Sequence, residues 1–257
     1  MSRIFDSLPR LIAALRFAVF AVAVGLSSIA CSQQDDSFQP LNEKMMPGFA
    51  ADTLARIRQY DPSWLQPVRV ELPTAGTVSV YSATPIPNGV FATPAQFSVN
   101  AGHIYRLRIA DMPEFPNVEV YPSIEILDRM HPPDGRAADY PIPVVLTEAD
   151  IREAIDGRMV TRVVYLEQPQ LAATLDPLRR EIPQSVDPAD NALQEADRLG
   201  RPMIIVRIGG RTPSGDYMPY MYYGSGGCFD AGESVPVHTG VVKLSDKRGA
   251  KSSIASR

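Results

Sequence analysis

The sequence is poor in the residues from which disulfide frameworks and metal clusters are built. It contains two cysteines, Cys31 and Cys228, and three histidines, His103, His131 and His238. Two cysteines cannot form a disulfide framework or a cysteine metal cluster. None of the histidines has the i, i+4 spacing of a helical zinc pair, and no HExxH motif occurs. We therefore expect neither a metal site nor a bound cofactor.

Motifs of nucleophilic and phosphate-transferring enzymes are also missing. Ser225 lies in a GSGG run that lacks the first glycine of the G-x-S-x-G motif, and no phosphate-binding loop occurs. Acidic residues are plentiful, but a sequence cannot show whether two of them face each other across a cleft, as a glycosidase requires. The sequence therefore identifies no catalytic residue and favours a non-enzymatic protein, with a hydrolase that uses carboxylates as an alternative.

The charge of the chain argues against nucleic-acid binding. The formal net charge is -4, and the first thirty residues carry +2, which leaves about -6 for the remainder. Nucleic-acid binding depends on neutralising phosphates with basic residues, so an acidic chain is a poor candidate. No second long apolar run follows the one at residues 17–26, and we expect the rest of the chain to be soluble apart from any anchor.

The first thirty residues have the pattern of an export signal. Three arginines accompany an uncharged apolar run at residues 17–26 (FAVFAVAVGL), and small residues then lead to Cys31. A basic start, a short apolar stretch and small residues are typical of a secretory signal peptide. The run is also shorter than the ~20 residues of a membrane-spanning helix. We predict that residues 1–30 are a signal peptide.

The end of this signal, Ser28-Ile29-Ala30-Cys31, resembles the lipobox of bacterial lipoproteins. The resemblance implies cleavage before Cys31, lipidation of its thiol, including palmitate-type acylation of the new amino terminus, and anchoring in a membrane. Ser28 stands where a lipobox usually has leucine, and an ordinary signal peptide with an incidental cysteine is the alternative. By the same resemblance, Ser32 after the cysteine favours the outer membrane, facing the periplasm.

The remainder divides by composition into a tether, a body and a tail. Residues 31–48 are polar and predict a lipidated tether, and residues 209–257 predict a Gly/Tyr-rich segment and a basic, disordered tail. Between them lies a body, 49–208, which is β-rich over 67–127 and mixed over 142–208. We expect it to be one continuous unit.

Alternation of apolar and polar residues predicts strands near 68–72, 78–81, 105–109 and 118–126. Pro122 makes the last of these an edge strand or two short strands. A short helix is expected near residues 53–60. Several short strands separated by turn residues predict a small sandwich or an open barrel.

The mixed region predicts the order strand, helix, strand, connection, helix, strand. Thr147 caps the first helix and Gly157 ends it, while Asp187 caps the second. The β-branched run 159–166 (MVTRVVYL) predicts a central strand between them. The fold class is therefore α+β, with sandwich-like or barrel-like strands followed by two short helices and further strands, and with disordered termini.

Residues 105–210 resemble a domain that recurs in bacterial envelope proteins and has no assigned activity. Four phrases carry the resemblance: YRLRIADMPEFPNVEVYPSIEILDRMHPP, YPIPVVLTEADI, GRMVTRVVYLEQP and EADRLGRPMIIVRIGGR. The resemblance supports an envelope protein and assigns no catalytic residue.

Tyr217, Tyr220, Tyr222 and Tyr223 form the densest aromatic stretch of the chain. A tyrosine offers apolar area and a hydroxyl together, so this stretch predicts a surface that binds sugar or protein. Packing of the rings on the body is the alternative. Cys228, in the adjacent glycine-rich run, is interpreted as a tolerated free thiol, with a reactive or intermolecular cysteine as the alternative.

Together these features predict a lipid-anchored envelope protein that acts as a non-enzymatic binding or structural module. Its expected partners are the membrane, through lipid on Cys31, and an envelope protein or polysaccharide. An accessory subunit of an export or envelope-assembly complex is a further alternative.

Overall fold

The structure, a computed structural model, describes residues 40–170, 184–213 and 218–232. From Leu41 onward these residues belong to one compact unit. The predicted signal peptide, Cys31 and the basic tail lie outside the described residues, as do the termini expected to be disordered. None of the described helices is long and apolar enough to cross a membrane.

Three α-helices and ten strands occur in the described ranges. In chain order they are α1 Phe49–Arg58, β1 Leu65–Glu71, β2 Thr77–Tyr81, β3 Gly89–Ala92, β4 Ala95–Asn100, β5 Ile104–Ala110, β6 Ser123–Ile126, β7 Ile142–Val145, α2 Glu148–Ile155, β8 Val160–Glu167, α3 Ala192–Leu199, β9 Gly200–Ile208 and β10 Phe229–Asp230. Two short 3-10 helices lie at Ala137–Asp139 and Tyr220–Tyr223. The predicted α+β class and the two short helices of the mixed region are confirmed, and α1 begins four residues before its predicted start.

The strands form two sheets packed as an open sandwich. The larger, antiparallel sheet has the order β3-β2-β5-β6-β9-β8, and the smaller has the order β10-β4-β1-β7, in which β1 and β7 run parallel. Alternation along the strands decides which side chains fill the space between the sheets. In β5, for example, Tyr105, Leu107 and Ile109 belong to the shared core, whereas Arg106 and Arg108 lie on the outer face.

The position of β8 differs from the prediction. This strand lies at the edge of the larger sheet and pairs only with β9 among the described strands, whereas the sequence predicted a central strand. Its apolar side chains instead pack against helices, since α2 and α3 both contact β8. The residues of β8 are at most half-buried, so the β-branched composition of the run did not indicate how many strands lie beside it.

The predicted strand at 118–126 consists of two short pairings, one on each side of Pro122. Val120 forms an isolated bridge with Ile109, and β6 resumes at Ser123. The edge-strand alternative is wrong, because β6 lies between β5 and β9.

The first helix of the mixed region has the predicted cap. The Thr147 hydroxyl accepts a hydrogen bond from the Asp150 backbone N–H at 3.2 Å, and the Asp150 carboxylate accepts one from the Thr147 backbone at 2.9 Å. These reciprocal bonds satisfy N–H groups that the first turn leaves free. Gly157 follows with φ of 82°, as its predicted role requires.

The second helix, α3, begins later than predicted. Asp187 accepts a hydrogen bond from Ala189 within a turn, and the helix starts only after Asn191. The Asn191 side chain accepts bonds from the next two free N–H groups of the helix, so it takes the capping role assigned to Asp187.

The last part of the predicted tether belongs to the body. Arg207 donates to the Glu43 carbonyl at 2.9 Å, and the Glu43 carboxylate accepts from Leu193 N–H at the start of α3 at 3.2 Å. Glu43 is thereby buried against the outer face of the larger sheet. Residues 43–48, which were assigned to the predicted tether, therefore belong to the folded body.

Candidate binding surface

Residues 218–232 run from a position beside β5 in the larger sheet to the edge of the smaller one. Gly224 forms an isolated bridge with Tyr105 of β5, and Phe229 of β10 pairs with Val99 of β4. The part of the Gly/Tyr-rich segment that the structure describes is therefore folded onto the body, beyond the expected boundary at Ile208.

Backbone hydrogen bonds hold this segment beside the beginning of β5. Ser225 N–H donates to the Ile104 carbonyl, and Ile104 N–H donates to the Ser225 hydroxyl, both at 3.0 Å. Ala83 N–H donates to the Tyr223 carbonyl at 3.1 Å, and the Ser82 hydroxyl donates to the Gly227 carbonyl at 2.6 Å. The segment thus takes the position that a further strand would occupy beyond the end of β2.

The GSGG run allows this close approach. A β-carbon at Gly224 would lie less than 3.0 Å from the Ile104 carbonyl, and Gly224 has φ of 116°. A β-carbon at Gly227 would lie equally close to the Tyr105 hydroxyl. The glycines at 224 and 227 therefore serve close packing against β5.

Tyr105, whose ring lies in the core between the sheets, connects the segment to that core. Its hydroxyl donates to the Cys228 carbonyl at 2.8 Å and accepts from the Asn100 N–H at 3.0 Å, and the side chain is completely buried. Burial raises the pKa of Tyr105, so the hydroxyl stays protonated. The Cys228 thiol itself is free and exposed.

Arg106 lies under the segment on the outer face of β5. Its guanidinium donates to the carbonyls of Tyr222 and Tyr121, both at 2.8 Å, and lies 4.2 Å from the centre of the Tyr222 ring. Burial lowers the pKa of Arg106, and Tyr222 opposes the shift. In the described residues no carboxylate pairs with Arg106, so carbonyl oxygens and the face of an aromatic ring stabilise its charge.

Four residues, Tyr81, Arg106, Tyr222 and Tyr223, form the base of what we call the tyrosine surface. Its rim consists of the exposed Tyr220 and Met221, which belong to the same 3-10 turn as Tyr222 and Tyr223. The Tyr81 and Tyr223 rings are 5.5 Å apart, and the Tyr222 and Tyr223 rings meet almost at right angles at 5.3 Å. Such edge-on contacts are favourable beyond the area that they bury. The tyrosine surface is therefore a packed arrangement of rings around one cation.

The predicted tyrosines fall into three groups. Tyr222 and Tyr223 are half-buried against the sheet, as the packing alternative expects. Tyr220 is 68% exposed, and its neighbour Met221 is 81% exposed. Tyr217 lies outside the described residues. The packing alternative thus applies to Tyr222 and Tyr223, and the binding interpretation stays a prediction for the exposed Tyr220.

Sequence reasoning missed Tyr81 and Arg106, which complete the tyrosine surface. Both were assigned only to the solvated faces of alternating strands. They lie opposite each other in the register of β2 and β5, where Tyr81 pairs with Arg106. An aromatic residue and an arginine on the same face of neighbouring strands would have indicated this contact. The sequence alone did not show that β2 and β5 are neighbours.

His103 and Ser225 meet at the end of the tyrosine surface. The Nδ1 atom of His103 is 3.1 Å from the Ser225 hydroxyl. Burial lowers the pKa of His103, against the nearby charge of Asp52, and this favours a neutral ring. A nucleophilic serine also needs a group that orients its base. Among the described residues no carboxylate is hydrogen-bonded to His103, and the serine oxygen already accepts from Ile104. The contact therefore fastens the segment.

The described residues contain no group of three or more His, Cys, Asp or Glu side chains placed to hold a metal ion. No family model matches the chain, and neither the curated proteins nor the solved structures give a significant match. The resemblances to bacterial lipoproteins and to the envelope-protein domain therefore remain predictions.

Proposed function

We propose that the protein is a lipid-anchored envelope protein, that the tyrosine surface is its non-enzymatic binding site, and that its ligand is another envelope protein. One observation carries the binding proposal. Tyr220 and Met221 are 68% and 81% exposed on a segment whose backbone is hydrogen-bonded to the body. Because the backbone is already held in place, binding has to order only the side chains and not the loop itself.

The chemistry of the rim favours a protein partner over a polysaccharide. Tyrosine is enriched at protein interfaces because it combines apolar area with a hydroxyl, and methionine adapts to irregular partner surfaces. A sugar-binding site would use an exposed ring face with polar groups beside it, whereas the residue next to Tyr220 is an exposed thioether.

The binding proposal is tested by photocrosslinking in intact cells. A photoreactive phenylalanine at position 220 should give a discrete adduct, and the same residue at position 140 is the matched control, because Tyr140 is also exposed. The adduct at position 220 should disappear with Met221→Ser. Equal adducts at both positions would contradict the proposal, and binding of purified protein to isolated peptidoglycan through Tyr220 would replace the protein partner by polysaccharide.

The anchor is proposed on the resemblance of residues 28–31 to a lipobox. Intact mass should show a chain that begins at Cys31 with added acyl groups, and the protein should fractionate with the outer membrane. Cys31→Ser should release the protein, whereas the control Cys228→Ser should not. An unlipidated product in the wild type would remove the anchor and leave the tyrosine surface to be tested separately.

A further inference from the structure

Three arginines, Arg58, Arg129 and Arg201, surround the buried Asp128 beyond the end of β6. Arg58 is ion-paired with the Asp128 carboxylate, and Arg201 Nε lies 3.4 Å from its Oδ2 atom. The Oδ1 atom accepts from the Tyr60 hydroxyl at 3.1 Å and from the Arg129 backbone N–H at 2.7 Å. The carboxylate thus accepts hydrogen bonds from Arg58, Tyr60 and the Arg129 backbone, and Arg201 adds an ion pair. We call the three arginines with Asp128, Tyr60 and Trp64 the arginine corner.

The arginine corner carries more positive than negative charge, although the chain as a whole is acidic. It contains three guanidinium groups and one buried carboxylate, and only those of Arg58 and Arg201 are ion-paired with it. Arg129 lies over two aromatic rings, 5.7 Å from the centre of Trp64 and 6.0 Å from that of Tyr60. The exposed Asp61 is near enough to interact with Arg129, but its carboxylate is hydrogen-bonded by Ser63. Two guanidinium charges therefore have no hydrogen-bonded carboxylate of their own among the described residues.

Two buried nitrogen atoms of the arginine corner have no hydrogen-bond acceptor. They are Trp64 Nε1 and Arg201 Nε, and they are the two such side-chain atoms that occur in the described ranges. The Arg201 contact with Asp128 is an ion pair that lacks hydrogen-bond geometry. Buried N–H groups without an acceptor are rare and costly, so their coincidence in one cluster of excess positive charge points to a missing anionic acceptor.

We propose that the arginine corner binds the phosphate group of a ligand between Arg129, Arg201 and Trp64. A guanidinium offers parallel N–H donors that match the oxygen atoms of a phosphate. A phosphate monoester carries roughly -1.5 to -2 charge at neutral pH, which balances the two guanidinium groups without a carboxylate. The same chemistry serves free phosphate compounds and lipid headgroups, and the experiment separates them.

Trp64 is the one tryptophan of the whole chain, so its fluorescence reports on the arginine corner directly. Inorganic phosphate is titrated into the full-length protein in detergent, with chloride at matched ionic strength as the reference. We expect saturable change in Trp64 emission and a rise in Tm with phosphate but not with chloride. Arg129→Gln should weaken the response about tenfold, since one charge-assisted contact is lost. The control Arg136→Gln removes an exposed arginine that pairs with Asp139 and should leave it unchanged.

A second arm uses vesicles of phosphatidylcholine with and without phosphatidic acid. A response to inorganic phosphate alone assigns a free phosphate compound, and a response that needs the anionic vesicles assigns a lipid headgroup. The proposal is overturned if Trp64 emission responds to neither, or responds equally in Arg129→Gln. Circular dichroism of the variant confirms that it is folded, and Arg129→Lys, which keeps the charge but loses the planar fork, should respond at an intermediate level.

Discussion

Removal of one hydroxyl, in Tyr105→Phe, tests whether the tyrosine surface depends on the core beneath it. The ring of Tyr105 is completely buried, and phenylalanine preserves its shape and its packing. Only the two hydrogen bonds of the hydroxyl are lost, one from Asn100 N–H and one to the Cys228 carbonyl. The variant therefore separates hydrogen bonding from hydrophobic burial.

The expected cost follows from where the two partners lie. Asn100 is buried, so its N–H loses its acceptor without replacement, at about 1–3 kcal/mol. Cys228 is exposed, so water can solvate its carbonyl, and the loss there is about 0.5–1.5 kcal/mol. Together the free energy of unfolding should fall by about 1.5–4.5 kcal/mol, equivalent to roughly 3–18 °C in Tm for a domain of this size.

Urea unfolding followed by circular dichroism measures the loss, and Tyr140→Phe is the control because Tyr140 is exposed. Amide hydrogen exchange should also speed up in residues 224–228 of Tyr105→Phe, because the segment is released locally before the body unfolds. A loss below about 0.5 kcal/mol, or equal to that of the control, would refute the reasoning, since surface changes typically stay within that range.

Two further predictions concern His103 and Gly200. Because burial lowers the pKa of His103 below 6.5, the unfolded chain binds a proton that the folded chain does not, and stability should fall as pH drops from about 6.5 toward 5. The urea midpoints of the wild type at pH 7.5 and 5.5 should therefore differ more than those of His103→Gln. An equal difference in both proteins would exclude this histidine as the cause. A β-carbon at Gly200 would lie less than 3.0 Å from the Leu166 carbonyl, so Gly200→Ala should cost about 1–3 kcal/mol by forcing β8 and β9 apart. At Gly209 a β-carbon meets nothing closer than 3.9 Å, so Gly209→Ala, compared in the same urea titration, should change stability little, and similar losses in the two variants would contradict this account.

The sequence determined the features that depend on neighbours along the chain. Alternation over a few residues placed β1, β2 and β5, because the side-chain period of a strand is a local property. The capping box of Thr147 and Asp150 likewise requires only residues three positions apart. Strands β3 and β10 escaped prediction, since four and two residues are too few to show alternation. Strand β4 was missed although its residues, AQFSVN, alternate between apolar and polar.

The candidate site was only partly visible in the sequence. The aromatic stretch drew attention to Tyr220, Tyr222 and Tyr223, but its composition could not separate the exposed ring from the packed ones. That separation depends on Arg106, which is 116 positions from Tyr222 and meets it only in the folded chain. The order of strands in the larger sheet makes this meeting possible.

Tertiary structure also decided where each apolar or glycine-rich run lies and what it contacts. The β-branched run of β8 is an edge strand because it pairs only with β9 among the described strands. The glycines at 224 and 227 serve close packing because β5 lies beside them. The composition of a segment limits which surroundings it can tolerate. Which surroundings it has depends on contacts between distant parts of the chain, and these exist only once the two sheets and their helices have come together.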